Sequence, residues 1–430
     1  MTSDARSPTP DVRRVLLLSH TTGYQLRAFN DAADALGIEL VFATDRCHRL
    51  DDPWQDRAVP VRFYDLDTSL DLIVQRAREF PLQGIIAVGD RPVRLAARAA
   101  DALGLRWHSV DGAHASTDKR HSRSALAVAG LPSPVFFSIS ASDPPARLRP
   151  PYPVVLKPAG LSGSRGVIRA NDDVEFAAAF ERIRGLLTRP EVRAARAGLE
   201  DEILVEQYVD GREYAVEGVV TNGRLQMLAM FDKPDPLEGP FFEETIYVTP
   251  SRADAATQAR IVDGVERAAG VLGLGHGPIH AECRVTPSGE IYVLEVAARP
   301  IGGLCSRVLA FDTGTSLESV LLQHAIGRPI AELSLEPHAA AVMMIPIPRR
   351  GVFKGVDGEK PAREVPGVTD IRITAKEGQL LEPLPEAGSY LGFIFAQGDT
   401  PEDAERAVRQ AHERLEFTIA PEISLVARPT

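Results

Sequence analysis

Three apolar runs near the amino terminus constrain the fold more than any other feature of the sequence. VRRVLLLSH (12–20), IELVFATD (38–45) and GIIAVGD (84–90) each end in polar residues, and stretches rich in Ala, Leu and Arg separate them. Apolar strands that alternate with helices are typical of βαβ units on a parallel sheet, which binds ligands at the carboxyl ends of its strands. The sequence therefore predicts an amino-terminal α/β domain.

The first turn of this domain argues against a dinucleotide site. It reads SHTTGYQ (19–25) and has one glycine where a dinucleotide fingerprint has three. Asp45 follows the second strand and could bind a ribose, but the turn does not provide for close approach of the backbone to a pyrophosphate. A scaffold role is predicted for this domain.

Composition limits the class of partner. The 430 residues carry 48 Lys and Arg against 59 Asp and Glu, a net charge of −11, which disfavours nucleic acid and anionic membranes as main partners. Cys47, Cys283 and Cys305 are scattered and lack CxxC spacing, and VLLLSH (15–20) is too short for a signal peptide or a membrane span. A cytoplasmic protein with small-molecule ligands is expected.

The stretch HAECRVTPSGEIYVLEVAAR (280–299) raises a question about charge. Two runs of strand-forming residues flank a turn, and with Ser288-Gly289 as the two-residue loop Glu282 lies directly opposite Glu295. The Cβ atoms of such a pair are about 5 Å apart, where like charges oppose strand pairing. A bound cation would explain the pair, and a solvated strand face is the structural alternative.

The neighbours of the two glutamates favour a functional site. In the predicted register Glu282 shares its face with Ile291 and Val293. Partial burial is therefore expected, and buried facing carboxylates need a compensating charge.

A glycine-rich segment precedes this hairpin. YPVVLKPAGLSGSRGVIRA (152–170) reads as two strands joined by a loop that carries Gly160, Gly163 and Gly166, with Lys157 at the end of the first strand. Glycine-rich loops let backbone N–H groups approach phosphate oxygens, although a flexible hairpin end has the same composition. No GxxxxGK[ST] motif occurs, which excludes a P-loop.

EQYVDGREY (206–214) places two acids at strand positions that do not need them. Glu206 and Glu213 could each be solvated edge residues. Alternatively, the backbone of EQYV presents donors and acceptors to an adenine, and Glu213 accepts both ribose hydroxyls. Asn222-Gly223 then predicts a tight hairpin.

The order of these motifs resembles the ATP-grasp superfamily of carboxylate–amine ligases. A lysine precedes a glycine-rich hairpin, EQYVDGREY follows, and two glutamates thirteen residues apart precede an arginine. The resemblance covers specific motifs over residues 115–310. GPIHAE, LEVAARPIGG, FDKPDPLEGPFFEETIYVTPS and the later GVFKGVDG are most similar to the L-amino-acid ligases, which join unprotected amino acids into dipeptides.

The resemblance implies an ATP-grasp fold of mixed α/β and α+β class in four parts. These are an amino-terminal parallel-sheet domain (1–115), a small lid subdomain (116–205), a catalytic core (206–330) and a carboxy-terminal α+β subdomain (331–430). In the last part, three predicted strands and an amphipathic helix at 400–415, with Thr400 as N-cap, are expected to bound either the amino-acid pocket or a homodimer interface.

The resemblance also implies residue roles. Glu282 and Glu295 would hold Mg²⁺, and Arg299 would stabilise the transferring phosphoryl group, so these three count as catalytic. The nucleotide site would comprise Lys119, Lys157, Ser162, Gly163, Ser164, Gly166, Glu206, Gln207, Val209 and Glu213. Substrate contacts are assigned to Glu243, Glu244, His276, Gly302, Gly303 and Arg307.

One position departs from the common ATP-grasp pattern. Many of these enzymes carry Asn two residues after the second metal-binding glutamate, where this chain has Ala297. The expected cofactors are ATP and one or two Mg²⁺ ions, for which Mn²⁺ can substitute.

The implied reaction joins two amino acids through an acyl phosphate and releases ADP and phosphate. A ligase or carboxylase of another carboxylic acid is the first alternative. A non-catalytic nucleotide-binding protein is the second, and it is disfavoured because both lysines, both glutamates and the arginine are present.

Overall fold

The computed structural model describes residues 13–20, 25–45, 58–143, 150–194, 201–312, 314–330 and 333–422. Most of the SHTTGYQ turn (21–24) and Cys47 lie outside the described residues. The chain is presented below in four successive segments.

The amino-terminal segment forms the predicted parallel sheet. Its elements are β1 (Arg13–Ser19), α1 (Leu26–Leu36), β2 (Ile38–Thr44), β3 (Val59–Pro60), α2 (Leu66–Glu79), β4 (Gly84–Val88) and α3 (Asp90–Leu103). The strand order is β3-β2-β1-β4, and every pair is parallel. The apolar residues of β1 and β4 are buried between helices, which explains why both strands are apolar on both faces.

The second segment forms a small antiparallel sheet covered by a helix. Its elements are α4 (Val110–Thr117), α5 (Lys119–Val128), β5 (Phe136–Ser140), β6 (Val154–Pro158), β7 (Ile168–Ala170), α6 (Asp173–Thr188), α7 (Pro190–Ala194) and β8 (Glu202–Gln207). The strand order is β5-β8-β6-β7. Phe176, Phe180 and Ile183 of α6 pack on this sheet in a core of their own.

The third segment begins the largest sheet. Its elements are β9 (Arg212–Thr221), β10 (Arg224–Asp232), β11 (Ile246–Thr249), α8 (Ala255–Leu272), β12 (Gly277–Val285), β13 (Ile291–Ala297), β14 (Ala310–Phe311), β15 (Thr315–Ser316) and α9 (Leu317–Ala325). Asn222 and Gly223 join β9 to β10 with φ of 51° and 82°. Both angles are left-handed, as a type I′ turn requires, so the predicted hairpin is confirmed.

The carboxy-terminal segment completes that sheet and adds a smaller one. Its elements are β16 (Ala339–Ile345), β17 (Gly351–Asp357), α10 (Glu359–Arg363), β18 (Val368–Ile373), β19 (Leu380–Leu381), β20 (Gly392–Gly398), α11 (Pro401–His412) and β21 (Glu416–Ala420). The eight-stranded sheet has the order β13-β12-β9-β10-β11-β16-β20-β18, and the small sheet the order β19-β17-β21. The large sheet crosses the predicted boundary at 330/331, and the four-part division stays a proposal.

The helix α11 begins as the sequence predicts. The Thr400 hydroxyl accepts a hydrogen bond of 3.2 Å from the Asp403 N–H, and Pro401 occupies the first turn, where its missing N–H costs nothing. Val408 and three alanines on its inner face pack against β16 and β20. The cap therefore supports a helix that covers the large sheet.

We expect Thr400→Ala to lower the free energy of unfolding by about 1 kcal/mol, since the replaced hydroxyl satisfies a helix N-terminal donor. Urea denaturation measures the change. Thr400→Ser, which keeps the acceptor, should stay close to the parent protein. An unchanged midpoint for Thr400→Ala would show that the cap contributes nothing.

Candidate active site

A cavity of about 340 Å³ is lined by residues of all four segments. Asp90 comes from the amino-terminal segment, Lys157 from the small sheet, Glu282 from the large sheet, and Tyr390 from the loop before β20. We call this space the central cavity. The predicted site residues that line it are Lys119, Lys157, Ser162, Gly163, Ser164, Glu206, Gln207, Val209, Glu213, Glu244, Glu282, Glu295, Arg299, Gly302 and Gly303.

Four predicted site residues lie off the cavity wall, namely Gly166, Glu243, His276 and Arg307. His276 stacks on the ring of His324 with centroids 4.3 Å apart, and Arg307 forms an ion pair of 3.0 Å with Asp370. These contacts hold both side chains away from the place where the substrate roles were expected. Sequence order could not reveal this, because the stacking and ion-pair partners are distant in the chain.

The facing glutamates owe their position to a β-bulge. Glu282 pairs directly with Glu295, as predicted, but next to the turn Cys283 pairs with Val293, so Leu294 is an extra residue on β13. The predicted two-residue turn is wrong: Thr286 to Glu290 form a five-residue loop, in which the Thr286 N–H donates to the Glu290 carbonyl at 2.9 Å. The longer loop shifts the pairing register by one residue, and the bulge shifts it back, so Glu282 still faces Glu295 as predicted.

The bulge also corrects the predicted faces of the hairpin. Val293 and Ile291 pack toward α8, near Gly264, on the face opposite to Glu282. Glu295 and the bulged Leu294 line the central cavity instead. The burial of Glu282 therefore comes from the cavity and not from apolar neighbours on its own strand pair. Burial, followed by repulsion from Glu244, raises the pKa of Glu282 well above its ordinary value.

Two lysines reach the cavity from different elements. Lys119, at the start of α5, donates to the Leu161 carbonyl at 2.7 Å and lies 4.0 Å from a Glu295 oxygen. Lys157 lies 2.7 Å from Glu206, whose other oxygen is 2.8 Å from the buried Arg123. Burial alone would raise the pKa of Glu206, but Arg123 and Lys157 outweigh it and lower that pKa to about 2. The Glu206 carboxylate is therefore an anchor for Lys157.

Lys233 binds three glutamates in the wall of the cavity. Its Nζ lies 2.8 Å from Glu213, 2.5 Å from Glu244 and 3.4 Å from Glu282. Oxygens of these three carboxylates lie within 4.8 Å of one another. Burial lowers the pKa of a lysine, but here the three carboxylates outweigh it and raise the pKa of Lys233 well above its ordinary value. We call these four residues the Lys233 cluster.

Arg284 ties the cluster to the predicted adenine segment. Its Nε donates to Glu213 at 2.9 Å, Nη1 to the Val209 carbonyl at 2.7 Å and Nη2 to the Leu237 carbonyl at 2.5 Å. The Val209 carbonyl accepts this hydrogen bond and keeps a second lone pair, so both the carbonyl and the N–H of Val209 can still contact a nucleotide. No role for Arg284 was predicted from the sequence motifs.

Arg299 is fixed by a residue that the sequence analysis left in the scaffold domain. Its Nε donates to Asp90 Oδ1 at 2.9 Å, and Ser162 of the glycine-rich loop lines the cavity together with Asp90. Burial opposes ionisation of Asp90, yet Arg299 and Ser162 lower its pKa. Asp90 ends the third apolar run, at the carboxyl edge of the parallel sheet. The rule that ligands bind at this edge was the one signal that could have identified it.

His280 and Glu217 form a directly paired couple next to the facing carboxylates, since His280 lies two residues before Glu282 on β12. His280 lines the cavity, and its Nδ1 lies 3.1 Å from Glu217, a fully buried residue that also accepts the Ile301 N–H at 3.0 Å. Burial lowers the pKa of His280 and raises that of Glu217. Glu217 thus orients the imidazole ring through Nδ1, and Nε2 lies 4.0 Å from Glu282.

The glycine-rich loop (161–167), which we call the lid loop, is docked against the carboxy-terminal segment. The Gly166 N–H donates to the Pro385 carbonyl at 2.8 Å, and Arg165 Nε to the Glu386 carbonyl at 3.0 Å. Arg182 of α6 pairs with the Glu386 carboxylate at 2.5 Å. Residues of the lid loop thus form part of the cavity wall.

Three family models match consecutive parts of the chain. The ATP-grasp N-terminal domain matches residues 30–105, the ATP-grasp domain residues 150–308, and the L-amino acid ligase C-terminal domain 2 residues 343–420. The chain belongs to the ATP-grasp superfamily. It is therefore an ATP-dependent, ADP-forming ligase with the ATP-grasp fold, as the sequence motifs predicted. Enzymes of this superfamily use ATP with divalent metal ions.

Individual ATP-grasp relatives agree with this assignment. The crystal structure of an L-amino acid ligase from Bacillus licheniformis is 26% identical, with a TM-score of 0.78, and the match covers 96% of this chain and all of that one. Alanine–anticapsin ligase of Bacillus subtilis (strain 168) is 28% identical over 54% of this chain and 52% of its own. An uncharacterized protein, y4rH of Sinorhizobium fredii, is 26% identical over 95% of this chain and 84% of its own.

Among the described helices, none combines the length and the apolar character needed to cross a bilayer.

The Lys233 cluster generates a prediction for this ATP-grasp ligase. Lys233→Met should lower the free energy of unfolding by about 3–5 kcal/mol at pH 8, because it leaves buried carboxylates without their cation. A carboxyl group whose folded pKa is raised contributes stability below its unfolded pKa and loses that contribution as pH rises through the folded pKa. The deficit should therefore shrink between pH 8 and pH 5.5, as measured by chemical denaturation at both values.

Two further variants control this experiment. Lys376→Met removes an exposed lysine and should change stability by less than about 0.5 kcal/mol. Adding Glu244→Gln to Lys233→Met should recover part of the loss, since one of the uncompensated charges is removed. A Lys233→Met deficit that is independent of pH would contradict the electrostatic account.

Proposed function

We propose that this ATP-grasp ligase joins the carboxyl group of one amino acid to the amine of a second through an acyl phosphate, releasing ADP and phosphate. The observation that carries the proposal is the composition of the central cavity. Two lysines, an arginine and two facing carboxylates line it together with residues of the segment matched by the L-amino acid ligase C-terminal domain. The relatives named as amino-acid ligases support the substrate class.

The nucleotide would lie between the small sheet and the large sheet. Lys119 and Lys157 supply positive charge for the phosphates, and the N–H of Val209 is available for the adenine. Both oxygens of Glu213 already accept hydrogen bonds, from Lys233 and Arg284. A carboxylate oxygen has a second lone pair, so Glu213 can still accept from a ribose hydroxyl while its neighbours hold it in place.

The facing carboxylates suit a divalent cation. Glu282 and Glu295 lie directly opposite each other, and repulsion by Glu295 is among the causes of the raised pKa of Glu282. Mg²⁺ prefers hard oxygen donors such as carboxylates, and a bound cation would offset the repulsion between these two. Ala297 lines the same wall and offers no ligand. A cation held by Glu282 and Glu295 would neutralise charge on the nucleotide phosphates.

The chemistry follows from the low reactivity of a carboxylate toward an amine. In the first step the substrate carboxylate attacks the γ-phosphorus of ATP and ADP leaves. Lys119, Lys157 and Arg299 neutralise and orient the transferring group. In the second step the neutral amine attacks the carbonyl carbon of the acyl phosphate, and phosphate leaves with the C–O bonding electrons. Asp90 fixes the Arg299 guanidinium throughout.

Water must be excluded while the acyl phosphate exists, since hydrolysis would waste the ATP. The contacts of the lid loop with Pro385 and Glu386 close the cavity on one side. The attacking amine must also lose a proton. Among the titratable residues that the resemblance assigned to the substrate, Glu244 lines the cavity and is the candidate acceptor, whereas His276 and Glu243 do not line it.

An ADP-release assay over pairs of amino acids, with dipeptides identified by mass spectrometry, tests the proposal. We expect at least one pair to stimulate ADP release and to yield a dipeptide and phosphate in equal amounts. ADP release stimulated by bicarbonate or by another carboxylic acid, with no dipeptide from any pair, would assign the cavity to a different ATP-grasp reaction.

Glu295→Gln should separate metal binding from folding. Without ligand the variant should be as stable as the parent protein or more stable by up to about 1 kcal/mol, because a repulsive cross-strand pair is removed. Mg²⁺ with ATP should raise the melting temperature of the parent protein and much less that of the variant. Turnover should fall by orders of magnitude.

Glu290→Gln is the matched control for this prediction. It removes the same charge from the same hairpin, but Glu290 is exposed and does not line the central cavity. It should respond to Mg-ATP as the parent protein does. A Glu295→Gln protein that keeps near-normal turnover would return Glu295 to a structural role.

A further inference from the structure

We propose that the central cavity selects an amino acid with an uncharged, apolar side chain. The side chain would enter a pocket formed by Tyr247, Ile301, Cys305, Met344, Tyr390 and Phe393, all of which line the cavity. We call it the apolar pocket. The inference rests on the proposed function, because it names the side-chain class of one of the two amino acids.

The pocket is one continuous surface. Met344 of β16 and Phe393 of β20 are directly paired, and Cys305 Sγ lies 3.8 Å from Met344 Sδ. The rings of Tyr390 and Phe393 meet edge to face with centroids 6.0 Å apart. Ile301 is buried in the same hydrophobic core, two residues after Arg299. The apolar surface thus begins beside the predicted phosphoryl-transfer residues.

A cationic side chain has no counter-charge in this pocket. Two acids lie beside the pocket. Glu217 already accepts the Ile301 N–H at 3.0 Å and lies 3.1 Å from His280. Glu244 lines the cavity next to Thr245, whose carbonyl accepts the Met344 N–H at 2.7 Å. Lys233 already binds Glu244 at 2.5 Å. A lysine or arginine side chain would therefore lose its hydration among Ile301, Met344 and Phe393 without gaining a free carboxylate.

Binding of an anionic side chain in this pocket is also unfavourable. Lys233, 5.1 Å from the Tyr247 ring centroid, is already bound by three glutamates, so an added carboxylate would meet a cluster with negative net charge. Arg299, which also lines the cavity, is already paired with Asp90. Burial and the charge of Glu244 raise the pKa of Tyr247 well above its ordinary value, so this residue stays neutral. The pocket can offer dispersion and hydrophobic contact to a ligand, together with tyrosine hydroxyls.

Binding and ligation are measured separately, so that the pocket and the proposed reaction are tested independently. Amino acids are titrated into the protein saturated with Mg²⁺ and a non-hydrolysable ATP analogue, and each Kd is determined by calorimetry. We expect leucine, methionine and phenylalanine to bind at least about tenfold more tightly than lysine, arginine, aspartate and glutamate, the scale on which pocket contacts discriminate between side chains.

Two substitutions test whether the named side chains set this preference. Cys305→Leu fills the pocket and should favour alanine over phenylalanine relative to the parent protein. Met344→Ala enlarges it and should shift the ratio in the opposite direction. Met343→Ala is the matched control, since Met343 lies on the same strand but packs into the core on the other face of the sheet. It should leave the ratio of the two Kd values unchanged.

The possible results separate the two proposals. Selective binding of apolar amino acids, with opposite shifts in the two pocket variants, supports the inference, whether or not dipeptides form. Equal binding of charged and apolar amino acids, absence of binding by any apolar amino acid, or shifts that Met343→Ala reproduces would overturn it. Selective binding without ADP release from any pair of amino acids on addition of ATP would reject the proposed reaction while retaining the pocket.

Discussion

The site depends on one constraint, namely that carboxylates crowded in a largely buried cavity need positive charge beside them. The ammonium group of Lys233 forms ion pairs with Glu213, Glu244 and Glu282. Arg284 forms a second ion pair with Glu213. Glu295 faces Glu282 across the hairpin, and the Nζ of its ion-pair partner, Lys119, is 4.0 Å away. A cation bound between these two strands would relieve their repulsion, and the proposed chemistry needs a cation at the same place.

Local features were predictable because their causes are local. The Asn222-Gly223 turn, the Thr400 cap and the parallel β1-β2-β4 strands follow from backbone preferences and apolar runs that neighbouring residues determine. Several residues that line the central cavity were predicted through the order of the motifs. The resemblance to a known superfamily supplied their roles, which the residue types alone left open.

The missed residues act over long sequence distances. Asp90 binds Arg299 across 209 positions and Arg284 binds Glu213 across 71. His276 was expected at the substrate, but its ring stacks on His324. An acid or a histidine in a sequence indicates that its side chain needs a hydrogen-bonding, stacking or charged partner if it is buried. Only the fold determines which residue is that partner.

The bulge at Leu294 has a consequence for how this hairpin can vary. Because side chains alternate along a strand, deleting one residue between Cys283 and Leu294 without lengthening the strand elsewhere would turn either Glu282 or Glu295 toward α8. Substitutions in the five-residue loop leave that alternation intact. Substitutions at the tip are thus compatible with the site. A deletion in one strand needs an insertion of equal length elsewhere in the hairpin to keep both glutamates on the cavity face. The geometry of the site therefore depends on the length of the hairpin as much as on the identity of its residues.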